Sequence, residues 1–120
     1  MRWIAIALAS VALIAAACGG SGPTQPSGST KVVMTEFKFD PGDITVPHGK
    51  VVLWLVNAGS TQHDLAIRNQ SGSTIATSEL VSAGDSKEFD VDNLAAGSYT
   101  IYCTQPGHEA SGMKGTLTVT

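Results

Sequence analysis

The sequence is short of the residues that many chemistries require. Two cysteines and three histidines occur in 120 residues, which excludes a zinc site built from several thiolates and a small domain stapled by multiple disulfides. Charge is sparse as well, with seven Lys/Arg against ten Asp/Glu. No basic patch or Arg cluster is present, so nucleic-acid binding is not expected. The one long apolar run, Trp3 to Ala17, is too short for a comfortable membrane span. Nowhere does a 3.6-residue apolar period persist, and amphipathic helices are therefore not expected.

What is present begins with that run. Met1-Arg2, the apolar stretch and Ala15-Ala16-Ala17 before Cys18 form a charged n-region, an h-region and a small-residue cleavage point, the layout of a secretory signal over residues 1–17. Cleavage immediately before a cysteine resembles the lipobox of bacterial lipoproteins, which implies a lipidated Cys18 at the mature N-terminus. The chain is then exported and lipid-anchored to the bacterial membrane on its extracytoplasmic side, at the periplasmic or cell-surface face. Gly19 to Thr30 contains no charge and nothing able to fill a core. It reads as a tether, completing an 18–30 linker, with a reach of about 20 Å for a flexible chain of that length.

The folded part, 31–120, has a single cysteine, so no internal disulfide can form there. From Cys18 onward, six Lys/Arg face ten Asp/Glu, a net of −4. That mild acidity solubilises the surface and could steer a basic protein partner. β-branched and aromatic residues recur in short runs separated by turn residues. Strands are expected at Val32–Phe39, Ile44–Val46, Val51–Val56, His63–Arg68, Thr74–Thr77, around Lys87–Val91, at Ser98–Cys103 and at Lys114–Thr120. In the first, Val33, Phe37 and Phe39 share a face. Val51–Val56 is apolar almost throughout and should be the most buried. Seven to eight short strands imply an all-β fold, a β-sandwich with Greek-key connections.

The chemistry concentrates between the last two strands, in Tyr102-Cys103-Thr104-Gln105-Pro106-Gly107-His108-Glu109-Ala110-Ser111-Gly112-Met113. One Cys, one His and one Met on a short loop suit copper, whose electron-transfer sites take a His₂Cys set with a weak axial Met. A second histidine must come from elsewhere, and only His48 and His63 are left. His48 lies in the turn Pro47-His48-Gly49-Lys50 and reads as a surface residue. His63 shares a parity with Leu65 and Ile67 and points inward, as Cys103 does with Tyr99 and Ile101, and as Met113 does with Leu117 and Val119. Met34 and Trp54 read as packing. Asp64, on the opposite parity to His63, should turn outward.

From Lys31 to Thr120 the chain resembles the cupredoxins, the small blue copper proteins that include plastocyanin, azurin, rusticyanin and auracyanin. The resemblance rests on the strand Val51–Asn57, on His63 following it, and on the Cys103, His108 and Met113 loop with its Gly-Thr-Leu-Thr-Val strand. Four residues in each gap of the loop are similar to the auracyanin and rusticyanin arrangement. The resemblance implies a single copper ion, with His63 and His108 as imidazole ligands, Cys103 as thiolate and Met113 as axial thioether. It implies an electron carrier with no catalytic residues, serving redox protein partners such as cytochromes or a membrane redox complex, and acting as a monomer. His108 would present its edge to them. Where the family tends to have Asn or Ser after the first His, this chain has Asp64, and a carboxylate turned toward the site would lower the potential. A copper-delivery or storage module is the alternative function; a metal-free sandwich is the other.

Overall fold

The computed structural model describes residues 22–120; the signal-like segment, Cys18 and the first residues of the tether lie outside the described residues. Nine strands form among the described residues: β1 Thr30–Thr35, β2 Lys38–Asp40, β3 Asp43–Val46, β4 Gly49–Asn57, β5 Ala66–Arg68, β6 Thr74–Thr77, β7 Ser86–Leu94, β8 Gly97–Tyr102 and β9 Lys114–Val119. They make two sheets, one ordered β2-β1-β4-β7 and the other β3-β9-β8-β5-β6. The expected all-β sandwich is thus the fold.

Strand β4 is central to the first sheet because its apolar run can be covered on both faces. Leu53 and Leu55 are fully buried toward the opposite sheet, and Trp54 is buried on the outer face. The strand pairs with β1 in parallel and with β7 antiparallel. Ile44, Ile67, Ile101, Leu117 and Val119 meet it from the second sheet in one core cluster. Close packing here leaves no room for error. At Gly115 an added Cβ would sit 2.0 Å from the Gly42 carbonyl oxygen, the acceptor of the Thr116 N–H at 2.9 Å. Only glycine allows β9 to approach the β2–β3 turn so closely.

Two expectations are corrected. Val32–Phe39 is not one strand: the chain reverses at Glu36-Phe37 and β1 pairs with β2 antiparallel, Thr35 opposite Lys38 and Met34 opposite Phe39. The reversal changes the parity. Val32 and Met34 are the fully buried residues, Val33 is half-buried, and Phe37 is exposed. No Gly or Pro marks this turn, and the aromatic pair Phe37/Phe39 continues the alternation across it. His63–Arg68 is also only partly a strand, since β5 begins at Ala66. His63 instead forms an isolated bridge with Val81, and residues 63 to 67 are all buried whatever their parity.

Candidate metal centre

Three segments bring side chains to one pole of the sandwich. Cys103 directly follows β8, Met113 directly precedes β9, and His63 lies three residues before β5. The two strand-end positions are fixed by the ladder between β8 and β9, in which Tyr102 pairs with Lys114. Beyond it the loop closes on itself: the Cys103 N–H donates to the Met113 carbonyl at 3.1 Å, and the Met113 N–H to the His108 carbonyl at 3.0 Å. His108 is thereby folded back over the two sulfur residues. His63 is held from the other side by its bridge, with N–H to Val81 O at 3.1 Å and Val81 N–H to His63 O at 2.8 Å.

The donor atoms converge. His63 Nδ1 lies 3.2 Å from His108 Nδ1, and Cys103 Sγ lies 3.5 Å from His108 Nδ1 and 4.0 Å from His63 Nδ1. A first-row ion with nitrogens at about 2.0 Å and a thiolate at about 2.3 Å in one plane has edges of about 3.5 Å (N to N) and 3.7 Å (S to N). Each observed edge is within about 0.3 Å of that triangle. The donor set therefore fits a copper ion without rearrangement. Met113 is fully buried, and its backbone bonds both Cys103 and His108.

Burial sets the protonation of these groups. It pushes the His63 imidazole below its ordinary value, an effect partly opposed by the hydrogen bond the ring makes to the Glu36 carboxylate. That lowering favours the neutral ring, which offers a lone pair. Burial also pushes the Cys103 thiol up, against the backbone N–H groups of Asp64 and Gln105. A metal must displace that proton to gain the thiolate.

Around the donors lies a second layer, of which only Asp64 was singled out in the sequence. Glu36 Oε1 accepts from Ser60 N–H at 2.7 Å and Thr61 N–H at 2.9 Å, and stands 3.3 Å from His63 Nε2. Those backbone donors hold the Glu36 carboxyl down at about 2. Asn57 is buried and ties the same loop, its amide donating to Thr61 O and Val81 O at 2.8 Å each and its carbonyl accepting the Gly59 N–H at 2.9 Å. Asp64 departs from the outward orientation expected of it. It is 3% exposed and accepts the Thr104 N–H at 2.7 Å and the Thr104 hydroxyl. Because residues 63–65 do not follow a regular pleat, parity does not govern which way this side chain turns.

The surface above the donors is formed by His108 itself, half-buried, with the Phe37 ring edge-on to it at 5.0 Å between centroids. Arg68 clamps the loop from the side, bonding Glu109 at 2.7 Å and lying 4.4 Å over the Tyr102 ring.

A family model described as a cupredoxin-like domain matches residues 4–119. The chain belongs to the cupredoxin family. It is 37% identical over 94 residues to a plastocyanin of Dryopteris crassirhizoma, covering 69% of this chain and 88% of that one. It is 29% identical over 108 residues to the copper-resistant cuproprotein CopI of Rubrivivax gelatinosus, covering 76% of this chain and 66% of the other. A structure of auracyanin from Roseiflexus castenholzii superposes with a TM-score of 0.69 at 23% identity, over 80% of this chain and 99% of that chain.

This cupredoxin takes one copper ion as its cofactor. Cupredoxins as a class are electron carriers, typically extracytoplasmic, that exchange electrons with redox partners. No helix of the described residues is long and apolar enough to cross a membrane. His63, Cys103 and His108 are brought together with Met113 buried beside them. His48 is not: it is exposed, its ring Nδ1 2.8 Å from Thr120 O, at the opposite pole from the donors. Glu36, Phe37, Asn57 and Thr104 were not singled out from sequence; of these, only Asn57, a polar residue ending a buried run, left a trace there.

Proposed function

We propose that this cupredoxin is a membrane-tethered, mononuclear type 1 copper protein that carries single electrons between redox partners, with His63, Cys103, His108 and Met113 as the ligands and no catalytic residues. The observation that carries the reading is the convergence of Sγ and two Nδ1 atoms within 4.0 Å of one another. Bound copper supplies one-electron chemistry by alternating between Cu(II) and Cu(I). The chain's part is to keep its donors still. Strand ends, the β8–β9 ladder and the Asn57 and Asp64 hydrogen bonds hold the donors without long mobile side chains, which keeps their geometry the same in both states. The burial of His63, Cys103 and Met113 themselves keeps water away from the inner side. His108 is the ligand nearest the surface, and beside Phe37 it forms the exit for the electron.

In this reading residues 1–17 are a signal, Cys18 carries lipid, 18–30 is the tether and 31–120 the copper domain, a monomer on the extracytoplasmic side. Redox proteins, cytochromes among them, are the partners, and nucleic acid is not one. Likeness to CopI favours a second reading, a copper-delivery or storage module built on the same donors.

One equivalent of Cu(II) added to the protein decides between them. An intense thiolate-to-copper charge-transfer band that bleaches reversibly with ascorbate, and is absent in Cys103→Ser, is expected for the electron carrier. A colourless or readily lost complex would move the protein to Cu(I) delivery, and no uptake would sink both.

A further inference from the structure

His63 has two ring nitrogens, and the metal centre uses only Nδ1. The other, Nε2, is not left to chance: it faces the Glu36 carboxylate at 3.3 Å, inside a ring that is fully buried. A neutral imidazole carries one proton, and whichever nitrogen holds it cannot be the ligand. A carboxylate can only accept, so the proton belongs on Nε2 and the lone pair on Nδ1.

The carboxylate itself sits in a cradle made for it. Glu36 is at the tip of the β1–β2 hairpin, 27 residues from His63 in sequence. Its Oε1 receives the N–H groups of Ser60 and Thr61 at 2.7 and 2.9 Å and the Thr61 hydroxyl at 3.2 Å. The loop can wrap it this closely because residue 59 is glycine. A Cβ there would lie 2.6 Å from Glu36 Oε1 and 2.8 Å from Oε2. The hairpin tip, the glycine and the buried ring are three separate features that meet on one oxygen.

Resting on the type 1 reading of this site, we propose that Glu36 is a positioning residue of the copper centre: it accepts the Nε2–H of His63, so holding Nδ1 toward the metal, and its charge favours Cu(II) over Cu(I). The charge acts one imidazole away from the ion, on a ligand fully shielded from solvent. An oxidised centre gains more from a nearby anion than a reduced one. Through a partly buried path this bias amounts to at least about tenfold in the ratio of Cu(II) to Cu(I) affinity.

Glu36→Gln tests the charge, since its amide oxygen can still accept from Ser60, Thr61 and His63. In the full chain this variant is expected to keep the fold and the charge-transfer band while Cu(II) affinity relative to Cu(I) falls at least about tenfold, an upward shift of about 59 mV. Gly59→Ala, which expels the carboxylate by crowding, should shift the potential the same way. Nitrogen-15 spectra of the metal-free chain test the positioning: His63 should be the Nε2–H tautomer, and Glu36→Ala should populate the other. A Glu36→Gln potential within about twofold of the parent in that ratio, or a parent chain with its His63 proton on Nδ1, would overturn the proposal. A parent chain without a charge-transfer band would overturn the type 1 reading instead, and the metal-free spectra tell the two failures apart.

Discussion

Asn57→Ala is the most direct test of how the scaffold holds His63. The side chain ends β4 inside the protein and makes three hydrogen bonds, to Thr61 O, Val81 O and the Gly59 N–H. Each is worth about 1 kcal/mol net, so truncation costs about 3 kcal/mol, with more if the buried Val81 carbonyl finds no replacement. For a domain of this size that lowers the melting temperature by at least about 12 °C. Urea and thermal unfolding of the metal-free protein measure it. The loss should also reach the metal, because Val81 is the residue whose bridge fixes His63. Copper uptake by the variant should therefore be weaker, and its His63 resonances broadened. Asn57→Asp, nearly the same shape, would set a carboxylate oxygen against the two carbonyls and should be no better tolerated. A variant within about 0.5 kcal/mol of the parent, with unchanged copper affinity, would refute the account of Asn57 as the residue that orders this loop.

Copper uptake should release one proton per ion between pH 7 and 8, since burial keeps Cys103 a thiol until metal arrives; calorimetry in buffers of different ionisation enthalpy counts it, and a proton-neutral reaction would contradict the buried-thiol description. Acid should destabilise the metal-free protein in a defined window. The carboxyls of Glu36, at about 2, and Glu109, lowered by Arg68, bind protons less readily folded than unfolded. Their stabilisation is complete above the unfolded value near 4.5 and is lost as pH falls toward 2, so chemical denaturation across that range should show a decline that Glu36→Gln flattens. Asp64→Asn keeps an oxygen for the Thr104 N–H but removes a buried charge next to Cys103. Voltammetry should show a higher potential for it with little change in melting; an unchanged potential would mean that the charge is screened from the site.

The metal loop was legible because Cys103, His108 and Met113 lie within eleven residues and depend on a single strand pair. His63 was reached by elimination from three histidines, and it is buried as expected, but for a different reason than alternation along a strand. The segment from His63 to Leu65 lies outside both sheets, yet all three residues are buried and Asp64 turns inward to Thr104. Local pattern carries no information about such burial. The same limit hid the reversal at Glu36-Phe37, where neither residue is a turn former and the pairing of β1 with β4 decides the outcome. Glu36 itself could not be found from sequence, since its role depends on a loop more than twenty residues away.

The parallel pairing of β1 with β4 has a consequence for how this protein can be attached to things. Thr30 lies beside Leu53 and Met34 beside Asn57, so β1 travels about 17 Å toward the metal pole before the chain reaches Glu36. Strand β9 runs the other way, from Lys114 just after Met113 to Val119, and the Thr120 carbonyl accepts the His48 N–H. Both ends of the folded unit thus emerge at the base, with His108 at the apex. A fusion partner, a surface or an electrode joined at either end would leave His108 pointing outward, and two such domains joined in tandem would keep both His108 faces free.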